Sequence, residues 1–184
     1  MPHRSFRWLA CRLVPVPNPR KRAAVGLALL LAAGCGGGGG KAKERVVRGE
    51  GFTFAAPLGW MVDRRGGVIQ VQNGTDLVSV TRYPLLRRFR PELWAKVVPE
   101  LDRAASAVAK QQAGTVVDPQ TVTVGGQRAR RYDVRYDRAG RKLTERITFV
   151  LREKVEYLLL CRYDRGGPAD VCELLLRSFR LAAA

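Results

Sequence analysis

The sequence predicts an α+β domain with a central, mainly antiparallel sheet and two helices. Two groups of short segments with alternating apolar and polar residues are separated by a long amphipathic segment, and a second helical segment follows them. Alternation is typical of strands, and grouped strands favour antiparallel pairing. Val155–Tyr163 is apolar on both faces around Leu158-Leu159-Leu160. This segment therefore predicts a central strand with helices on opposite faces.

The first group of strands comes early in the domain. Phe52, Phe54 and Ala56 alternate with smaller residues as far as Pro57, which predicts a short strand. Asn73-Gly74 predicts a tight hairpin, because both central residues of a type I′ turn need positive φ. The other strands predicted in this group are Trp60–Asp63, Val68–Val71 and Leu77–Thr81.

The amphipathic segment Pro91–Gln112 predicts the first helix. Pro91 suits the first helical position and Gly114 suits the exit from the helix. We expect a kink or a break at Pro99, which lies inside the segment. The apolar stripe that should face the core contains Leu93, Trp94, Val97, Val98, Leu101, Ala104, Ala105 and Val108.

The second group of strands follows this helix, and a last helix ends the domain. Gly166-Gly167-Pro168 should open that helix, with Val171, Cys172, Leu175 and Phe179 on its inner face. The strands predicted in this group are Thr121–Val124, Ala129–Tyr136, Leu143–Arg152 and Val155–Tyr163.

Residues 1–34 have the pattern of an export signal. Six basic residues and no acid precede the apolar run Ala23–Ala33. This run is about half as long as the roughly 20 residues that a membrane-spanning helix needs. Leu31-Ala32-Ala33-Gly34-Cys35 resembles the lipobox of bacterial lipoproteins, although the usual leucine stands one position earlier here. The resemblance implies that Cys35 is diacylated and becomes the mature N-terminus.

The predicted organisation is a signal peptide at 1–34, a lipidated cysteine with a glycine-rich tether at 35–47, and one α+β domain at 48–181. Removal of the leader lowers the net charge from +17 to +11 and removes His3, the single histidine. Catalysis and metal binding that depend on histidine are therefore excluded in the mature chain. We expect no catalytic residue, no metal site and no cofactor.

Several short motifs resemble the Mog/PsbP-like superfamily, in its branch of actinobacterial lipoproteins. They are Gly51-Phe52-Thr53-Phe54, Pro57-Leu58-Gly59-Trp60, the segment Gly125–Tyr136, Tyr157–Cys161 and Leu175–Phe179, in an order of elements similar to that of the family. The resemblance covers about Arg48 to Leu181. It implies an α/β/α sandwich around an antiparallel sheet, and a domain that binds proteins or small ligands and is not an enzyme.

Two features suggest sites. Cys161 and Cys172 are the thiols that remain after acylation of Cys35 and loss of Cys11, and export permits them to form a disulfide. Two reduced, buried cysteines are the alternative. Arg87, Arg88 and Arg90 form a basic cluster that is a candidate for contact with anionic lipid or wall polymer, although a solvated surface of biased composition is the simpler interpretation.

The leading hypothesis is a lipid-anchored protein on the extracytoplasmic face of the cell membrane, with a non-catalytic domain that binds an envelope protein or another envelope component. Nucleic acid is not an expected partner of an exported protein. One alternative is a carrier of a lipid or another hydrophobic ligand, which needs an apolar cavity of about 300–1,000 Å³. The other is a histidine-free hydrolase, which needs carboxylates that converge in a cleft.

Overall fold

A seven-stranded antiparallel sheet lies at the centre of the domain, with strand order β3-β4-β5-β9-β8-β7-β6. A smaller antiparallel sheet has the order β1-β2-β10. The computed structural model describes residues 43–182. The strands are β1 Glu44–Gly49, β2 Phe52–Pro57, β3 Met61–Arg65, β4 Val68–Asn73, β5 Asp76–Pro84, β6 Thr115–Val124, β7 Gln127–Arg138, β8 Arg141–Arg152, β9 Val155–Asp164 and β10 Arg180–Leu181; the helices are α1 Trp94–Gln111 and α2 Asp170–Ser178.

The two helices pack on opposite faces of the large sheet, as the sequence predicts. Leu101 and Ala105 of α1 share a core with Tyr132 of β7 and Ile147 of β8. On the other face, α2 and the small sheet form a second core with β4, β5 and β9; its members include Cys172, Leu175, Phe52, Phe54, Val71, Val80 and Leu159. The predicted α+β class with a central antiparallel sheet is confirmed.

Strand β9 faces both cores. Tyr157, Leu159 and Cys161 point into the core under α2, whereas Leu158 packs against the core under α1. Successive side chains of a strand point to opposite faces of its sheet, so only a strand that is apolar throughout can serve both cores. The strand lies in the middle of the seven, between β5 and β8.

Helix α2 is attached to the sheet by two consecutive residues. Cys172 forms a disulfide with Cys161 of β9, and their Cα atoms are 5.5 Å apart. Glu173 accepts a 2.6 Å hydrogen bond from Arg146 of β8. Arg146 also donates to both carboxylate oxygens of Asp133, at 2.8 and 3.0 Å. Asp133, Arg146 and Cys161 are direct neighbours across β7, β8 and β9, so one cross-strand row holds the helix.

The structure extends the domain beyond the predicted N-terminal boundary at residue 48. Strand β1 begins at Glu44, so residues 44–47, which were expected to belong to the tether, are part of the small sheet. Val47 is buried in the core under α2, and this burial holds the strand in place. The predicted leader, Cys35 and the tether as far as residue 42 lie outside the described residues.

The first predicted strand also belongs to a different sheet from the one expected. Strand β2 pairs with β1 on one side and with the two-residue strand β10 on the other. Its residues Phe52, Phe54 and Ala56 all point into the core under α2. The alternation of these residues predicts that one face of the strand is buried, but it does not predict which strands pair with it.

We expected a kink or a break at Pro99; helix α1 is continuous through this residue, so there is no break. Pro91–Leu93 forms a short 3-10 turn before the helix, and the α-helix proper begins at Trp94. Pro99 is exposed, and its carbonyl accepts a 3.3 Å hydrogen bond from Arg103 one turn later. The proline ring therefore lies on the solvent side, away from the apolar contacts that hold the helix on the sheet.

Strand β6 starts at Thr115, six residues earlier than the predicted Thr121. Its pairing with β7 shifts between Val117 and Gln120, and Asp118 there has a φ of 53°. This bulge accommodates Pro119, which has no N–H to donate, and β6 is an edge strand, where proline is tolerated. The first half of the strand contains polar residues and a proline and lacks the alternation of apolar and polar residues, so the sequence does not predict it as a strand.

The disulfide leads to a stability prediction. Loss of the covalent closure by Cys161→Ser should lower the free energy of unfolding by roughly 3 kcal/mol, because the unfolded chain regains the entropy that a loop of this length removes. Urea unfolding of the oxidised wild type and the variant measures the difference. Wild-type protein reduced before unfolding should match the variant, whereas equal stability of reduced and oxidised wild type would contradict the bridge. The mass of the oxidised chain should be lower by two hydrogen atoms.

Candidate functional site

The turns of the large sheet divide between its two ends. At one end lie the β3–β4, β6–β7 and β8–β9 turns and the segment between β5 and α1, since Pro84 pairs with Val155, and Val155 with Arg152. The β1–β2 turn lies there too, because Glu50 forms an ion pair with Arg82 at 3.5 Å. We call this the basic end: residues 48–51, 64–68, 82–93, 124–128 and 152–155.

Charge at the basic end is strongly unbalanced. Its acids are Glu50, Glu92 and Glu153. Its basic residues are Arg48, Arg64, Arg65, Arg82, Arg87, Arg88, Arg90, Arg128, Arg152 and Lys154. A concentration of one sign of charge on one surface produces a local potential that attracts anions. The excess positive charge of the chain is therefore gathered, in part, on a single surface.

The segment between β5 and α1 is fixed at both of its ends. The N–H of Leu85 donates to the carbonyl of Lys154 at 2.8 Å, and the N–H of Phe89 donates to the carbonyl of Glu153 at 2.5 Å. The Phe89 ring also packs edge-on against Trp94 of α1. Between these attachments the chain projects into solvent, and Leu86 is 87% exposed at its tip. The result is an exposed apolar side chain that is followed by two arginines, Arg87 and Arg88.

The three predicted contact residues all lie on this segment and are all exposed. Arg88 forms a 2.8 Å ion pair with Glu153, which cancels part of its charge. Arg88 and Arg90 line a surface cleft of about 280 Å³ together with Phe89, Gln127 and Glu153. Arg87 follows Leu86 at the tip of the segment. The predicted cluster is thus an accessible surface, whereas its role in binding stays a prediction.

Arg128–Arg131 is a further cluster of arginines in the sequence, and two of its members, Arg130 and Arg131, serve the fold. The guanidinium of Arg130 lies 5.5 Å from the centre of the Tyr132 ring and 3.3 Å from Asp102 of α1. The Tyr132 hydroxyl donates to the same carboxylate at 2.6 Å. Burial is the main cause of the raised pKa of Tyr132, and the bond to Asp102 adds to it. Arg131 pairs across strands with Gln120 and Asp118. These contacts hold α1 and β6 on the sheet.

Sequence analysis missed a second cleft at the basic end. It has a volume of about 350 Å³ and lies between the β1–β2 turn, the β3–β4 turn and β5. Phe52 and Ile69 form its apolar floor, and its lining includes Arg48, Arg64, Arg65 and Arg82. Three segments that are distant in sequence bring these arginines together, and one of them, β1, was not predicted as a strand. No local pattern reports such a site.

Two buried glutamates have shifted titration behaviour but lie far apart. Burial raises the pKa of Glu145, although the Tyr136 hydroxyl at 3.2 Å and the charge of Arg162 oppose the shift. Burial alone raises the pKa of Glu156 to about 7. Glu156 pairs with Leu151, which is six residues from Glu145 along β8, or about 20 Å. The two carboxylates therefore cannot act on one bond, because glycosidase pairs need about 5–10 Å.

Other site chemistry is also missing from the described part of the chain. Within residues 43–182, no group of three His, Cys, Asp or Glu side chains is placed to hold a metal ion. No helix of these residues is long and apolar enough to cross a membrane. The two best-formed clefts in this part are open and lined by arginine, unlike the apolar cavity that a lipid carrier needs.

The structure defines a small α+β domain: two antiparallel sheets, helices on both faces of the larger one, and a basic end. The resemblance seen in the sequence is confirmed at the level of the fold. Cyanobacterial PsbP (CyanoP) from Synechocystis aligns with a TM-score of 0.55 at 16% identity, covering 81% of this chain and 98% of that one. The chain has a PsbP-like fold.

Two further solved structures are similar. A protein from Bacteroides thetaiotaomicron aligns with a TM-score of 0.56 at 13% identity over 77% of this chain, which spans about half of that protein, 49%. LpqN, described as involved in cell envelope biogenesis of Mycobacterium tuberculosis, aligns with a TM-score of 0.48 at 13% identity, covering 77% of this chain and 91% of LpqN. No protein-family model matches the sequence, and no curated protein matches it significantly.

The raised pKa of Glu156 makes stability depend on pH. The folded state favours the protonated carboxyl, so stability should be greatest below the unfolded pKa of about 4.5 and should fall as pH rises towards 7. The contribution of Glu156 to this loss should reach about 3 kcal/mol, and Glu156→Gln should remove that contribution and be more stable than wild type at about pH 8. The contribution of Glu145, whose pKa burial also raises, should remain in the variant. Urea unfolding across this range measures the slope. Glu153→Gln, at the adjacent exposed turn, should keep the wild-type slope; an unchanged slope in Glu156→Gln would contradict the assignment.

Proposed function

We propose that this protein is a lipoprotein of the cell envelope, held at the extracytoplasmic face of the membrane by a diacylated Cys35, and that its non-catalytic PsbP-like domain binds an anionic envelope component at the basic end. One observation carries the proposal: arginines from five separate segments meet on one end of the domain, with few acids among them. A wall polymer, an anionic lipid or an acidic protein fits this surface by charge.

The segment between β5 and α1 has the properties of a docking element. Its backbone is held in place by Glu153 and Lys154, so binding costs little ordering of the chain. Its side chains Leu86, Arg87 and Arg90 point into solvent, where they combine one apolar contact with positive charge. Exposed charges of this kind act mainly on the rate of association and on the choice of partner.

The basic end lies opposite the end at which the described part of the chain begins. Glu44, the first residue of β1, pairs with Pro57 at the end of the small sheet opposite the β1–β2 turn. The 12-residue strand β8 spans about 40 Å between the two ends of the large sheet. The proposed docking surface is therefore about one strand length away from the start of the domain.

The anchor is tested by Cys35→Ser. Wild-type protein should lack residues 1–34 and carry the mass of the acyl groups, whereas the variant should keep its leader and carry no lipid. Intact mass spectrometry of membrane fractions measures both changes. Cys11→Ser is the matched control and should be processed like wild type, because Cys11 leaves with the leader. Identical mature masses in wild type and Cys35→Ser would refute the anchor.

The docking surface is tested by removal of its charge. Arg87→Gln/Arg88→Gln/Arg90→Gln should weaken binding to a polyanion by about 10- to 100-fold at low salt, since each basic residue near an anionic surface contributes up to about 1 kcal/mol. Sedimentation with wall polymer or with anionic vesicles measures the loss. Arg103→Gln/Lys110→Gln/Arg138→Gln removes the same charge from exposed positions elsewhere and should bind nearly as wild type. Equal weakening of polyanion binding in both variants would show that binding depends only on the net charge of the protein, and would contradict a docking surface at Arg87, Arg88 and Arg90.

A further inference from the structure

The missed cleft at the basic end places two guanidinium groups on one face of the sheet. Arg64 is directly opposite Ile69 in register, and Ile69 is opposite Val80, two residues before Arg82. Because alternate residues of a strand share a face, Arg64 and Arg82 both point to the side on which Ile69 and Val80 face the small sheet. The turn that joins β1 to β2 closes the cleft on that side.

The contacts within the cleft leave its positive charge largely uncompensated. Arg64 donates a 2.7 Å hydrogen bond to the carbonyl of Arg48, which is a neutral partner. Arg82 faces the carboxylate of Glu50 at 3.5 Å, but Glu50 is 81% exposed and the pair is correspondingly weak. Within residues 43–182, Arg48 and Arg64 form no ion pair with an acid, while Arg65 pairs with Asp63.

Backbone conformation opens the cleft to a ligand. Gly66 and Gly67, in the β3–β4 turn that forms its rim, have φ values of 52° and 82°. A Cβ at Gly66 would meet no atom within 4 Å, so the space above this turn is free. The N–H of Arg82 donates to the carbonyl of Gly67, which fixes the rim to β5. The rim of the cleft is therefore joined to β5, and the space beside Gly66 is open.

From these observations we propose that the cleft binds a phosphate ester that carries a small polyol, such as a glycerol phosphate unit, with Arg64 and Arg82 as its anion-binding residues. A planar carboxylate is satisfied by one guanidinium fork, whereas the oxygens of a tetrahedral phosphate can accept from two guanidinium groups that approach from different strands. The volume of about 350 Å³ exceeds that of a bare oxyanion. Phe52 and Ile69 line the base of the cleft and, at 3% and 7% exposed, offer a small apolar surface to the carbon atoms of the polyol.

This inference shares with the proposed function only the expectation that the ligand is an anion. The cleft is lined by other residues than Arg87, Arg88 and Arg90, so the two proposals can fail independently. Glycerol phosphate occurs both in lipid head groups and in wall polymers, and the chemistry of the cleft is the same for both. Glu50 has the opposite effect to the arginines, since its carboxylate competes with the ligand for Arg82.

Calorimetric titration of the full mature chain in neutral detergent with glycerol 3-phosphate tests the cleft. One saturable site is expected, at least about 10-fold weaker in Arg64→Gln/Arg82→Gln and several-fold tighter in Glu50→Gln. Acetate and glycerol should bind much more weakly. The control Arg103→Gln/Arg138→Gln removes equal charge elsewhere and should bind as wild type. Because Glu50→Gln is expected to gain affinity, misfolding cannot imitate the result. Absence of a saturable site, or equal losses in the arginine pair and the control, would overturn the proposal.

The source of the ligand is separated by two further probes. Poly(glycerol phosphate) in solution and vesicles of phosphatidylglycerol are each bound to wild type, to Arg64→Gln/Arg82→Gln and to the Arg87/Arg88/Arg90 variant. The probe that binds Arg64→Gln/Arg82→Gln more weakly than wild type identifies the source of the ligand. If glycerol 3-phosphate fails to bind while the loop variant still loses polymer or vesicle binding, the cleft is refuted and the proposed function stands. If glycerol 3-phosphate binds and the loop variant behaves as wild type, the cleft stands alone.

Discussion

The attachment of α2 to the large sheet is the constraint on which the rest of the domain depends. Cys172 and Glu173 are consecutive, and they contact Cys161 and Arg146, which are neighbours across β9 and β8. The side chains of Arg146 and its second partner Asp133 are each only 11% exposed. A charged pair in such surroundings is costly to break, by about 3–5 kcal/mol when one partner is removed. The disulfide and the ion pair between Glu173, which is 56% exposed, and Arg146, which Asp133 holds in place on the sheet, therefore fix the same turn of the helix.

The small sheet is held by this helix and by the aromatic residues beside it. The hydroxyl of Ser178, at the end of α2, accepts a 2.8 Å hydrogen bond from the N–H of Ala55 in β2. Phe179 follows it and is fully buried, with its ring centre 5.8 Å from those of both Phe52 and Tyr157. Phe52 is also the floor of the arginine-lined cleft. The disulfide holds α2 on the sheet, and the residues at the end of α2 contact β2. Because Phe52 of β2 also lines the cleft, these contacts help to position the candidate ligand site.

The sequence predicts the elements that local pattern encodes. The double-sided strand at Val155–Tyr163, the hairpin between β4 and β5 and the amphipathic helix after Pro91 all correspond to elements of the structure. The hairpin turns one residue later than predicted, at Gly74-Thr75, because Asn73 pairs with Asp76 as the last residue of β4 and only Gly74 has a positive φ. The elements that it missed lack such a pattern. Strand β1 has one buried residue, Val47, and the first half of β6 contains a bulge at Pro119. Such segments are strands because a neighbour supplies their hydrogen bonds, and the identity of that neighbour is a property of the whole fold.

The charges follow the same division. Composition alone determines that the chain is strongly basic and contains a single histidine, because these are sums over residues and do not depend on position in space. The alternation of side chains determines which residues are buried, since the periods of helix and strand are local. Only the tertiary structure decides that Arg64 and Arg82 share one cleft while Arg130 and Arg131 serve the core, because strand order and register bring distant segments together and local sequence does not encode them.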